Sequence, residues 1–130
     1  MKMNLTDKEF EIMEVLWKSD RPLHAGELLK GTSTISANSI HRIISHLLEK
    51  KYIKVAGSVL ISKSMSRLYS PLVSAEEYTL WQMNKIFRKD TGKSPISSLI
   101  MYFAKKNKNN TDELKQELLD IINSIDDKRN

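Results

Sequence analysis

The stretch Ser36–Tyr52, SANSIHRIISHLLEKKY, carries two patterns at once. Ile40, Ile43, Ile44, Leu47 and Leu48 recur at spacings of three and four, which gathers them into one apolar stripe of a helix. Ser36 is placed to cap it, its hydroxyl accepting from a first-turn amide. The opposite face holds Asn38, His41, Arg42 and Ser45, small, polar or basic residues with no reason to be buried. A helix in a DNA major groove uses such residues: small side chains allow close approach, and Asn and Arg make bidentate contacts to base edges. An ordinary amphipathic surface helix has the same two faces, so the flanking segments must decide.

They supply a helix-turn-helix order. Upstream, Thr6 and Glu9 form a capping box, Leu5 and Phe10 can staple the entry, and Phe10, Met13, Leu16 and Trp17 line an inward stripe widened by Ile12 and Val15. This predicts a helix over 6–19, ended by Ser19-Asp20-Arg21-Pro22. LHAGELLK, residues 23–30, reads as a short second helix with Gly31 as its cap. The polar turn Thr32–Ile35 leads into the central helix.

Past Lys50-Lys51 the period changes to two. Ile53, Val55, Val59 and Ile61 alternate, and Leu68 and Tyr69 resume the pattern before Pro71, which predicts a β-hairpin with a basic, serine-rich tip over 62–67. A hairpin directly after such a helix is a wing, with Lys63 and Arg67 available to phosphate or the minor groove.

Three more helices follow. Ser74 and Glu77 cap one running to Lys89, rich in Tyr78, Leu80, Trp81, Met83 and Phe87, and Asp90–Lys93 breaks it. Ser94-Pro95 opens the next, striped by Ile96, Leu99, Ile100 and Phe103 and enlarged by Met101 and Tyr102. After a polar loop over 105–110, Leu114, Leu118, Ile121, Ile122 and Ile125 stripe the last helix, expected over 111–124. About 55 residues lack the material for a core of their own, yet their apolar faces are broad. Pairing with a second copy resolves this, with Tyr78, Trp81, Phe87, Leu99, Ile100, Phe103, Leu114, Leu118, Ile121, Ile122 and Ile125 at the interface. The expected architecture is thus mainly α with a small β-hairpin wing: a winged helix-turn-helix domain over 1–73 and a helical dimerisation domain over 74–130.

Charge distribution agrees. Residues 1–29 carry four basic and six acidic groups, residues 30–67 seven basic and one acidic, and the remainder ten and nine, for a net +5. The positive charge sits on the central helix and the hairpin, as Lys30, Arg42, Lys50, Lys51, Lys54, Lys63 and Arg67, and suits a polyanion. With no cysteine, disulfides, thiolate metal sites and Cys nucleophiles are excluded. No phosphate-cradling or nucleophile-elbow motif occurs. His41 and His46, five apart, point about 140° from each other on a helix and do not converge on a metal. No catalytic constellation, metal site or cofactor is expected. Without an apolar run near twenty residues or a leader-like start, the expected location is the cytoplasm, away from membranes.

In order along the chain, Leu5-Thr6 with Glu9 and Val15-Leu16-Trp17-Lys18, the Ser36–Lys50 helix with Ile40 and Leu47, Leu68-Tyr69-Ser70-Pro71, Glu77-Tyr78, Phe87, Gly92, Ser98-Leu99-Ile100 and Phe103 resemble the penicillinase-repressor family, the group of BlaI, MecI and CopY. The resemblance implies a homodimeric transcriptional repressor on a palindromic operator, of the kind that controls a β-lactam-resistance-like or stress-response operon, with residues 38, 39, 41 and 42 facing DNA. The family's common Lys-Thr pair is Asn38-Ser39 here and its usual mid-helix Arg is His46. The wing is about five residues longer than usual, and the Gly92 turn about two. The proteolysed Asn-Phe bond of the β-lactam-responsive members aligns with Tyr102-Phe103, a weak cleavage site tied to a sensor or protease partner. The copper-sensing Cys-x-Cys motif is missing. Two other classes stay open: a winged-helix protein-interaction module, and a ligand-sensing regulator with a pocket among Trp81, Phe87, Tyr102 and Phe103.

Overall fold

A computed structural model describes residues 4–87 and 95–129. The elements run α1 (Asp7–Lys18), α2 (Ala25–Lys30), α3 (Ile40–Glu49), β1 (Ile53–Ile61), β2 (Ser64–Pro71), α4 (Ala75–Phe87), α5 (Pro95–Lys106), a single 3₁₀ turn (Lys108–Asn110) and α6 (Thr111–Arg129). Helices followed by one antiparallel two-stranded ribbon make a winged helix. The chain divides into two compact units, Met1–Gln82 and Met83–Asn130.

In the first unit α1 starts as its sequence requires. The Thr6 hydroxyl accepts from the Glu9 N–H, and the Glu9 carboxylate accepts from the Thr6 N–H at 2.9 Å. Ile12, Met13 and Leu16 then enter a core shared with Leu28, Ile35, Ile40, Ile43, Ile44, Leu47, Tyr52, Ile53, Tyr69 and Val73. Phe10 and Trp17, expected in the inward stripe, stand at its edge and stack with Tyr78 instead, at centroid separations of 5.8–6.0 Å. The Trp17 indole N–H donates to the Val73 carbonyl at 2.8 Å, closing that edge.

The second helix begins two residues later than expected. His24 is its cap, with Nδ1 accepting from the Gly26 N–H, and Leu23 leaves the helix to pair with Tyr69 of β2 as a short antiparallel bridge. The Leu23 amide donates to Tyr69 and the Tyr69 amide returns the bond at 2.8 Å, so the base of the ribbon is tied to the chain entering α2. Gly31 closes α2 in the ordinary right-handed conformation. The glycine is required by packing: a Cβ there would lie 2.9 Å from both methyls of Val15.

α3 also starts late, at Ile40. Ser36 does not cap it by side chain; its carbonyl accepts from the Ser39 and Ile40 amides, and its hydroxyl meets that of Ser39. Asn38 and Ser39 therefore lie in a turn ahead of the helix. At the other end, the Tyr52 N–H reaches the Leu47 carbonyl and the Lys51 N–H that of Leu48, with Lys51 left-handed at φ 65°. This is a Schellman closure with lysine where glycine is usual.

The hairpin tip is shorter than the sequence suggests. Ser62 and Lys63 alone form the turn, Ser62 at φ 56°, and 64–67 continue as strand. The serine-rich composition reads as a loop, yet Ser64 and Ser66 share one face while Met65 and Arg67 share the other, which keeps alternation intact. A bulge between Val55 and Gly57 shifts the register. As a result Ile53 and Val55 lie on one face and Val59 and Ile61 on the other, although all four have the same parity in sequence.

In the second unit, α5 and α6 are joined through the 3₁₀ turn that occupies the expected polar loop, and α6 continues to Arg129. From Met83 to Asp127 no described side chain is fully buried. The expected break at Asp90–Lys93 lies outside the described residues.

Candidate nucleic-acid interface

α3 is held by its apolar stripe: Ile40, Ile43, Ile44 and Leu47 are buried, which fixes its rotation and leaves His41, Arg42, Ser45 and His46 exposed, while in the turn ahead of it Asn38 is exposed and Ser39 half-buried. The turn that leads to it is pinned from α1. The Glu11 carboxylate accepts from the amides and hydroxyls of Ser33 and Thr34. The Thr34 hydroxyl, then the Ser33 amide, hold the Glu11 carboxyl below its ordinary value. A carboxylate anchored this way sets where α3 starts, and so where Asn38 and Ser39 stand.

The ribbon returns to the same side. Ala25, His41, Ile44, Ser45 and Leu48 on one wall and Met65, Ser66, Arg67 and Tyr69 on the other line a cleft of about 350 Å³. His41 and Ser45 of α3 are thereby brought together with Arg67 of β2. Arg67 is paired across the ribbon with Ser58, Leu60 with Met65, and these share the face that looks toward α3. Lys63 is at the tip. Between Ile53 and Pro71 the charged residues are Lys54, Lys63 and Arg67, all cations.

The remaining expected cations are placed differently. Lys30 ends α2 and is exposed. Lys51 is exposed and left-handed at the exit of α3. Lys54 pairs with Ser70, on the ribbon face away from Arg67. Lys50 is engaged inside the unit: its ammonium sits 2.7 Å from the Glu9 carboxylate, whose side chain is 3% exposed, and also donates to the Asn4 carbonyl. Burial pushes the Glu9 carboxyl up, but Lys50 and the Thr6 amide outweigh it and hold it below its usual value. Arg42, by contrast, makes no ion pair among the described residues and is free to bind a partner.

Sequence reading missed Glu9 as an interior group and Glu11 as an anchor. Glu9 was visible: it is both the third member of a capping box and one turn before Met13 on the inward stripe. Glu11 carries no such signal, because its partners are 22 and 23 residues away.

In α5 and α6, Leu99, Phe103, Ile121, Ile122 and Ile125 are exposed, and Ile100, Leu114 and Leu118 half-buried. Leu99, Ile100, Tyr102, Phe103, Lys106 and Leu114 line an apolar groove. On α4, Phe87 is exposed and Trp81 half-buried, while Tyr78 packs against Phe10, Trp17 and Tyr52 of its own unit. The Tyr102-Phe103 bond lies inside α5. Among the described residues, no group of His, Asp or Glu could hold a metal ion, and no helix is long and apolar enough to cross a membrane.

Comparison with known proteins adds two findings. No curated protein matched the chain. The family model described as penicillinase repressor matches residues 5–124, nearly the whole length.

Proposed function

The chain belongs to the penicillinase repressor family, whose members are DNA-binding transcriptional repressors, and on that premise we propose that it acts in the cytoplasm as a homodimer on a palindromic operator. The exposed outer face of α3, which makes no ion pair among the described residues, beside a ribbon whose only charges are positive carries the proposal. Each protomer lays α3 in a major groove. Asn38, Ser39, His41, Arg42 and Ser45 meet base edges and nearby phosphates, and Lys30, Lys51, Lys63 and Arg67 meet the sugar–phosphate backbone. Lys54 reaches phosphate only if DNA wraps the far side of the ribbon. Lys50 serves the fold and is set apart from the sequence-based contacts.

The left-handed Lys51 supports the same reading. A lysine in a conformation that favours glycine costs about 1 kcal/mol or more, and a cation at the exit of the recognition helix is a reason for that cost to persist. The exposed apolar stripes of α5 and α6 support self-association: a monomer would leave them in water, and an isologous dimer would place two copies of α3 on a two-fold site. Repression ends by loss of that dimer or of the α3 contact. Proteolysis at Tyr102-Phe103 would require α5 to unwind locally first.

Selection of random duplexes by the purified chain, at two salt concentrations, tests the proposal. An enriched inverted repeat is expected, with half-sites one helical turn or a multiple apart, and it locates the regulated genes. If the dimer neutralises six to ten phosphates, affinity falls by ~10³–10⁵ between 50 and 200 mM salt. Arg42→Ala then loses discrimination at one base pair, on the order of 1–3 kcal/mol. Binding without any enriched sequence would overturn the assignment of α3 as a base reader.

A further inference from the structure

The outer end of the ribbon has a composition that phosphate contacts do not explain. Leu60 and Met65 face each other across the strands, one pair before the tip, and are 64% and 62% exposed. Val59 and Ile61 cover the opposite face. Cations flank this apolar end, Lys63 at the turn and Arg67 behind it, with Ser58, Ser62, Ser64 and Ser66 as small hydroxyl donors between them. No acid interrupts the ribbon. Such a surface is complementary to a polyanion that also offers apolar area, which in duplex DNA means the faces of the stacked bases.

Placement argues the same way. Leu60 and Met65 share the ribbon face of Arg67, and Arg67 and Met65 line the cleft with His41 and Ser45. With α3 in a major groove, Arg67 stands at the bordering phosphates. The four residue steps from Arg67 to Lys63 extend about 13 Å further, enough to cross the backbone ridge into the neighbouring minor groove. That groove is about 6 Å wide. Two strands about 4.8 Å apart, with side chains on both faces, are wider than that, so entry must open the groove.

We propose that the wing tip acts as an apolar wedge: Leu60 and Met65 enter the minor groove beside the half-site and partly unstack a base step there, while Lys63 and Arg67 hold the two phosphate ridges. The inference rests on the DNA-binding reading and adds to it a deformation of the duplex. Readout at that step comes through deformability, with flexible pyrimidine–purine steps preferred.

The test uses the full chain and the selected duplex, with 2-aminopurine placed at successive positions outward from a half-site. Wild type is expected to brighten the probe at one or two adjacent steps. Leu60→Ser/Met65→Ser, at exposed positions, keeps its circular dichroism and its salt slope, loses the brightening, and binds about tenfold more weakly, the net of apolar burial over unstacking. Leu60→Phe keeps the brightening. Lys63→Gln keeps it too and lowers the salt slope by about one. Duplex binding that brightens no probe, or a double variant that brightens like wild type, overturns the wedge and leaves the DNA-binding reading standing. Absence of duplex binding overturns both. Capture of wild type but not the double variant by phosphatidylglycerol vesicles, with the duplex probes dark, assigns the apolar tip to a lipid surface and overturns the wedge.

Discussion

Lys50→Met is expected to unfold the first unit more easily without touching its grip on DNA. The Glu9 carboxylate is 3% exposed and receives Lys50 at 2.7 Å and the Thr6 amide at 2.9 Å. Removing one partner of a fully buried pair costs about 3–5 kcal/mol. Here the lysine side chain is 41% exposed and the Thr6 bond survives, so roughly half of that, about 2 kcal/mol, is expected. The loss depends on pH. In the fold the Glu9 carboxyl is held below its ordinary value, because Lys50 and Thr6 outweigh its burial. A carboxyl lowered in this way stabilises the fold above its unfolded-state pKa, and that contribution disappears as pH falls through the folded-state value. The deficit of Lys50→Met is therefore full at neutrality and shrinks under acid conditions, where Glu9 is protonated. Glu9→Gln/Lys50→Met should recover most of the loss, since glutamine retains the capping-box geometry. Urea titrations at pH 7 and pH 3, with the salt slope of duplex binding measured in parallel, decide the matter. A variant with unchanged urea midpoint and a salt slope reduced by about one would refute the reasoning and return Lys50 to the DNA.

Lys51→Gly should act in the opposite sense: relief of the left-handed φ stabilises the chain by roughly 0.5–1 kcal/mol net of backbone entropy, while duplex affinity falls through one lost phosphate contact, both read on the same protein by urea melts and anisotropy. Tyr52→Phe should be neutral or stabilising by about 1 kcal/mol, because the buried Tyr52 hydroxyl has no hydrogen-bond partner among the described residues. Burial, with Tyr78 and Glu9 nearby, pushes the Tyr52 phenol up to about 12 from 10.0. Its contribution is full below the unfolded-state value and is lost as pH rises through the folded one, so wild type should weaken between pH 10 and 12 and Tyr52→Phe should weaken less, as alkaline melting curves would show.

Which parts of this fold were legible follows from how local their causes are. The capping box at Thr6 and Glu9, the stripe of α3 and the period-two run of β1 are each written within a few residues, and each element formed there. The starts of α2 and α3 were misplaced because distant partners fix them. Tyr69 takes Leu23 into a bridge, and Glu11 holds Ser33 and Thr34. The bulge between Val55 and Gly57 was illegible for a related reason. Alternation in sequence reports one face only when no residue is extra, and the extra one is recognised only from the partner strand. On the candidate interface, the exposure of His41, Arg42 and Ser45 was readable from periodicity, while Asn38 is exposed in a turn that periodicity had placed on the helix. The withdrawal of Lys50 was not, since its partner lies 41 residues earlier.

The stack of Tyr78 on Phe10 and Trp17, together with the Trp17–Val73 bond, fixes where this chain can be cut. A fragment stopped at Val73, where the hairpin has already closed, keeps the indole bond and strips the tyrosine from both rings. It would then offer fresh aromatic surface to other molecules and aggregate. Carrying the fragment on through Gln82 retains the aromatic cover, so the piece of protein to express alone for spectroscopy or crystallisation ends part-way along a helix, at a place that inspection of loops would never select.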